Sequence, residues 1–167
     1  CCNIQSVRFN KKKNKSFYAE PRRIVYFRGG LYVIIYIRRF EKFRLLAIQR
    51  IKHFEVLEEV HPEEPRFDPT LFWKNKFGLF SANSCHVKVE FSSSARMHIE
   101  GRHWHPSQSF SEGKKGSLIL EMDVGLSPEL TSWIFSWNEY AKVLEPPELF
   151  KKISRKIDKL RKIYPTT

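Results

Sequence analysis

Seven apolar residues in a row, Leu31 to Ile37, lie between the pair Gly29-Gly30 and the pair Arg38-Arg39. A run this short does not make a buried helix. It suits a strand that is apolar on both faces and therefore central in its sheet. The neighbouring segments follow from it. Residues 3–10 have the β-branched content of a strand, and the lysine-rich loop 11–15 reads as a solvated hairpin connection. Residues 16–21 form a second extended piece and residues 22–27 a third, followed by a tight turn at Arg28-Gly29-Gly30. After Leu31–Ile37 the chain turns through residues 38–42, and residues 43–59 carry one or two further strands. Six short strands with tight turns predict a small closed or nearly closed β-barrel.

A break follows. Pro62, Pro65 and Pro69 stand among Glu58, Glu59, Glu63 and Glu64, a density of proline and charge that opposes regular structure. The expected plan is a barrel over residues 1–60, a linker and aromatic connector over 61–84, and a second domain over 85–167. In that domain residues 85–92 alternate as a strand. A short helix with serine N-cap candidates follows, then a hairpin over residues 105–124. Ser127, Pro128 and Glu129 open a helix, with Leu130, Trp133, Ile134, Trp137 and Ala141 at helical spacing. A short strand and a closing helix complete the chain. That helix places Leu149, Phe150, Ile153, Ile157, Leu160 and Tyr164 on one face. The order β-α-β-β-α-β plus a helix predicts a ferredoxin-like second domain, so the fold class is α+β.

Charge separates the two halves more sharply than hydropathy does. The net charge is +12, and residues 1–52 hold fourteen lysines and arginines against only Glu20 and Glu41. The remaining sixteen basic and sixteen acidic side chains cancel. A single-sign field of this kind suits a polyanion such as nucleic acid, a nucleotide or acidic lipid. It equally suits a solubilising face or one that docks on an acidic neighbour. No run of about 18 apolar residues is present, so no membrane helix is expected. No signal-peptide pattern opens the chain. Its first residue, Cys1, reads as the start of an internal or processed fragment. Cys1, Cys2 and Cys85 form no disulfide framework, which points to a reducing, cytoplasmic compartment, with Cys85 as a small buried hydrophobe.

Catalytic patterns are missing: no glycine-rich phosphate loop and no nucleophile elbow occur, so no enzyme and no cofactor are expected. His103 and His105, with His98, are the best metal candidate, because alternating residues of a strand share a face. Pro106 follows at once, and the competing reading is a turn whose rings pack and hydrogen-bond; no metal is expected. Trp133 and Trp137 are spaced for a stacking platform or, more simply, for a core. The arginines resist such dismissal. Arg44 and Arg50 flank an apolar segment, and guanidinium binds phosphate through a rigid two-pronged fork. Tyr32 and Tyr36 offer faces for base stacking. The alternative is that Arg44 and Arg50 pair with Glu20 and Glu41.

The segment from Gly29 to Tyr36 resembles the signature of WYL domains, with Leu31, Tyr32 and Val33 standing at its tryptophan, tyrosine and leucine. Pro21 and the extended lead-in to Gly30, and the segment Arg44–Ile51, match neighbouring pieces of that pattern. The second half resembles the WCX extension of the same proteins at Phe77–Phe80, Trp104–Gln108 and Val143–Leu149. The resemblance implies a bacterial transcriptional regulator, in which an Sm-like barrel senses a ligand and the WCX part assists dimerisation or gating. It implies a nucleic-acid or nucleotide effector and a homodimer. Promoter DNA would be read only by a helix-turn-helix that these residues do not contain. The positions it carries over are Tyr32, Arg44 and Arg50; Arg28 and Arg38 join them on charge. Leu31 and Val33 depart from the signature, and Leu31 forfeits a ring. A dimerisation or protein-docking module without a nucleic-acid ligand is the alternative.

Overall fold

The computed structural model describes residues 2–6, 15–57, 66–79 and 83–165. The chain divides into two compact units, Cys1–Phe72 and Trp73–Thr167. It is a mixed α+β structure with two antiparallel sheets.

The N-terminal unit has five strands: β1 Cys2–Ser6, β2 Lys15–Phe27, β3 Gly30–Ile37, β4 Lys42–Ala47 and β5 Ile51–Val56. Their order in the sheet is β4-β3-β2-β1-β5. Among the described residues no ladder joins β4 to β5, so the expected barrel is not closed. A three-residue 3-10 turn, Ile48–Arg50, links those two strands instead. The strand count also differs from expectation. Residues 16–27 were expected to form two pieces broken at Pro21, yet they form one long strand. Proline's fixed φ is compatible with extended backbone, and its missing N–H is tolerated at a bulge. The register with β3 shifts between Pro21 and Arg23. There β2 also changes partner, pairing with β1 as far as Ala19 and with β3 from Glu20 onward. The lysine-rich loop 11–14 and the acidic residues 58–65 lie outside the described residues.

Leu31–Ile37 is central, as its composition requires, and Val33, Ile34 and Ile35 are buried. The alternation sorts its neighbours into two faces. Val33 and Ile35 pack with Ala19, Phe17, Ile37, Leu46, Ile48 and Ile51 on one face. On the other, Tyr36 meets Phe43 at 5.0 Å, Phe43 meets Phe67, and Phe67 meets Phe72. Phe67 and Phe72 thus bring the chain back over the second face. Phe72 belongs to the short helix α1, Pro69–Trp73, whose first turn Asp68 caps through the amides of Thr70 and Leu71.

The C-terminal unit contains β6 Ser84–Phe91, α2 Arg96–Glu100, β7 Ser109–Glu112, β8 Leu118–Gly125, α3 Pro128–Phe135, β9 Ala141–Glu145 and α4 Pro147–Ile163. The sheet order is β7-β8-β6-β9, antiparallel throughout. Val87, Val89 and Phe91 of β6 face Leu118, Leu120, Met122 and Val124 of β8 in the core. Ser127 caps α3 as expected: its hydroxyl accepts from Leu130 N at 3.1 Å and donates to Phe77 O at 3.1 Å. Glu129 holds the same loop by accepting from Leu79 N. Gly78 is required there, since φ is +87° and a methyl group would meet Glu129 at 2.9 Å.

Three local expectations are corrected. No serine side chain caps α2, whose N-cap is Ala95. The helix α3 stops at Phe135, before Trp137, and Asn138 takes left-handed backbone at φ 50°. The apolar face of α4 is buried only at its start, where Leu149 is enclosed and Ile153 packs on the core. Phe150, Ile157, Leu160 and Tyr164 stay exposed.

Candidate functional site

Glu20 decides which arginines of the N-terminal unit are engaged. It pairs with Arg22 at 2.5 Å and with the Nε of Arg38. Residues 20 and 22 of one strand lie two apart and so can reach each other on one side. Arg38, joined to the site on charge, is thus held by a largely buried carboxylate. The same pairing takes Glu20 away from Arg44 and Arg50, which were the alternative candidates to bind it. Glu41, the other acid of this region, sits in left-handed backbone after the 3-10 turn Arg38–Phe40.

Arg44 is exposed on β4, and among the described residues no carboxylate pairs with it. Register places it opposite Ile35, and Lys42 opposite Ile37. Both therefore lie on the Val33–Ile35 face of the sheet. Tyr32 pairs with Ala47 and lies on the opposite face. Its ring folds back over its own strand, so that a methyl group on Gly30 would meet Tyr32 Cε2 at 2.9 Å. Arg44 and Tyr32 are thus not brought to one face. Arg50 is exposed at the end of the 3-10 turn between β4 and β5. Arg28 occupies the tip of the β2–β3 hairpin, its guanidinium 5.4 Å from the Phe27 ring centroid. The backbone there is left-handed at both turn residues, Arg28 at φ 45° and Gly29 at φ 80°. A two-residue turn of type I′ requires this, and asparagine or glycine adopt it at lower cost than arginine.

The histidine motif of the C-terminal unit is scaffold. Residues 103–105 are not a strand, so the shared face that two ligands would need does not form. His103 is exposed and His105 is buried, with Nδ1 2.7 Å from Ser107 Oγ. Gln108 Oε1 accepts from the amides of Trp104 and His105, while its Nε2 donates to Arg102 O. Trp104 Nε1 donates to Ile99 O. Burial pushes the His105 imidazole below its ordinary value. No group of three or more metal-ligating side chains occurs among the described residues. Trp133 and Trp137 are core, not platform. Cys85 is half-buried, and its thiol, raised by burial, lies 3.6 Å from Val124 O.

The outer face of the second sheet carries an exposed ionic cluster. His86 reaches Asp123 Oδ1 and Glu121 Oε2, each at 3.0 Å, and these hydrogen bonds raise its pKa. A histidine raised on folding stabilises fully below its unfolded value of about 6.5 and loses the effect as pH rises through the folded value. His86→Ala should therefore lower the melting temperature at pH 5.5 and leave it nearly unchanged well above the raised pKa. Melts at pH 5.5 and 8.5 that shift equally would rule this out.

Family comparison bears on the same unit. Residues 83–161 match the family model of the WCX domain. The WCX match begins just before β6 and ends within α4, and the residues that resemble the WYL signature lie outside it. A search of curated proteins returns no match. Solved structures similar to the chain include the following two. One is a crystal structure of a CRISPR Cas-related protein, 12% identical, with a TM-score of 0.63 over 98% of this chain and 47% of that one. The other is proteasome accessory factor B/C (PafBC) of Arthrobacter aurescens, 15% identical, with a TM-score of 0.42 over 99% of this chain and 25% of that one. The chain spans less than half the length of either. At these identities the first likeness concerns the fold alone.

Proposed function

We propose that the chain is the effector-sensing region of a WYL-type transcriptional regulator. The N-terminal unit binds a phosphate-bearing effector, single-stranded nucleic acid or a nucleotide. The WCX domain relays occupancy to a second copy and to a DNA-reading helix-turn-helix outside these residues, in the cytoplasm. The strand order β4-β3-β2-β1-β5, with its 3-10 link from β4 to β5, supports an Sm-like reading of the first sheet. In the second sheet β8 lies between β6 and β7, the split βαβ arrangement that supports a ferredoxin-like reading.

One observation carries the effector reading: residues 1–52 hold fourteen lysines and arginines against Glu20 and Glu41. Glu20 is engaged by Arg22 and Arg38, while Arg44 and Arg28 stand exposed without a carboxylate among the described residues. Arg44, Arg50 and Arg28 act as phosphate contacts in this reading. Arg38 and Tyr32 act on the shape of the sheet, one through Glu20 and one through its cover over Gly30.

A salt titration with a short oligothymidylate tests it. Each phosphate contacted by a single strand contributes roughly −0.7 to the slope of log K against log salt. Three contacts predict a slope near about −2. A slope near zero would falsify the reading. The alternative, a module that docks on an acidic protein, predicts a 260/280 nm absorbance ratio that a high-salt wash leaves unchanged.

A further inference from the structure

β5 is an outermost strand of the first sheet, and among the described residues no backbone bond reaches its outer side. Every residue from Lys52 to Val56 is exposed. Phe54 is 62% and Val56 70% exposed, although both stand on the apolar face of the sheet. The register places them there: Ile4 pairs with Phe54 on one side and Phe17 on the other, and Cys2 with Val56 and Ala19. Phe17 and Ala19 belong to the core cluster, so the apolar face runs on to β5 and is left uncovered at that edge. An open edge with apolar side chains is a template for another strand, and proteins ordinarily blunt such edges with charge, proline or brevity. The opposite edge is blunted. There β4 carries the exposed Lys42 and Arg44 and lies between the 3-10 turns Arg38–Phe40 and Ile48–Arg50. The one lysine of β5, Lys52, is the extra residue of a bulge against β1, and from His53 to Val56 the edge is regular.

The sequence of this edge is complementary to itself. Two antiparallel strands related by a two-fold axis perpendicular to their sheet place one residue opposite its own copy. Centres that leave a neighbour on each side of the regular edge are His53, Phe54 and Glu55. Centred on Glu55, two carboxylates oppose each other, which is destabilising. Centred on His53, Lys52 falls opposite Phe54 and Glu55 opposite Ile51, so both charged residues gain an apolar partner. Centred on Phe54, ring meets ring on the apolar face, and His53 meets Glu55 of the other copy on each side of the axis. An imidazole N–H donates to a carboxylate there. Within the chain itself His53 stands opposite Gln5 and Glu55 opposite Asn3, so neither meets an opposite charge in that ladder. Lys52 and Glu55 cancel, so residues 51–57 carry none of the formal excess of the N-terminal unit.

The geometry points to β5 as a contact between two copies of this chain. It pairs antiparallel with β5 of the second copy, Phe54 on Phe54 and His53 on Glu55, and joins two five-stranded sheets into one. This deepens the proposed function by giving its second copy a contact on the N-terminal unit, and rests on that reading only for the role of the dimer.

Sedimentation velocity of the full chain over a concentration series, with no ligand present, tests the pairing. The wild type should pass from monomer to dimer and stop there, because a two-fold contact closes. Phe54→Lys should raise the dimer dissociation constant about tenfold or more. Since Phe54 is exposed, the dilute variant should melt like the wild type. His53→Glu and Glu55→His should each weaken the dimer, and the double variant should restore it, because the swap only exchanges the two partners. Oxidation reads the register. Phe54→Cys should form an intermolecular disulfide above the background set by the wild-type cysteines. Glu55→Cys should not, because its copies stand about 8 Å apart between Cα atoms, beyond bridging distance. The inference fails if the wild type forms open-ended species, if Phe54→Lys leaves the dissociation constant unchanged, if the double variant is no tighter than the single ones, or if Glu55→Cys crosslinks as fully as Phe54→Cys. A wild type that stays monomeric also overturns it and leaves the edge to a strand of another protein. A flat salt slope with oligothymidylate would remove the effector reading and leave the pairing, while a failed pairing would leave the effector reading.

Discussion

Trp133→Ala is expected to cost the C-terminal unit about 3–5 kcal/mol, enough to unfold most of it at 37 °C. Trp133 is the meeting point of four rings. Phe77 and Trp104 lie at 5.0 Å, Phe91 at 5.7 Å and Trp137 at 6.4 Å between centroids. These rings come from the loop before β6, the segment before β7, β6 itself and the second residue after α3. Removing the indole opens a cavity that no one of them can fill without leaving its own element. Its Nε1 has no hydrogen-bond partner among the described residues, so the loss is one of packing rather than of a polar contact. Trp133→Phe should accordingly cost only about 1–2 kcal/mol. Urea melts followed by tryptophan fluorescence and circular dichroism would show the two steps. Equal losses for phenylalanine and alanine would mean that the indole acts through something other than volume.

Glu20→Gln has the second largest expected effect, in the other unit. The carboxylate side chain is 14% exposed and holds two guanidinium groups. Glutamine keeps the shape and removes the charge, leaving Arg22 and Arg38 repelling each other beside a neutral amide. The expected loss is about 2–3 kcal/mol, below the value for a fully buried pair because Arg38 is partly solvated. Arg44→Ala should leave the melting temperature within about 0.5 kcal/mol of wild type, since an exposed residue of an edge strand has little to lose. Its effect should appear in oligonucleotide affinity and as a salt slope shallower by about 0.7. The contrast separates arginines that hold the sheet from arginines that hold a ligand. An Arg44→Ala variant that melts like Glu20→Gln would place Arg44 with the scaffold.

Much of the fold is legible in local pattern. Leu31–Ile37 as a central strand needs only its composition and the glycines before it. Ser127, Pro128 and Glu129 announce α3 because each satisfies a specific requirement of a helix start. The end of α3 is not legible, since Trp137 keeps the helical spacing and only the backbone at Asn138 departs from it. Pro21 misleads for a related reason: proline marks a break in most contexts, but a bulge where the strand changes partner absorbs it. The apolar stripe of α4 is periodic throughout, yet it is buried only where β9 and the core lie beneath it.

The candidate site divides in the same way. The sequence alone determines that the positive excess lies in residues 1–52, that Arg44 and Arg50 flank an apolar segment, and that only two acids are there to oppose them. Which arginines those acids engage depends on the pairing of β2 with β3 and the turn after β3, which bring residue 38 to residue 20. Strand register likewise assigns faces: a residue's side of a sheet follows from its partner, not from its neighbours in the chain. That is why Tyr32 and Arg44, close in sequence, point to opposite sides. Charge and periodicity are properties of the chain, but pairing and facing are properties of the ladder, and the tertiary structure alone supplies them.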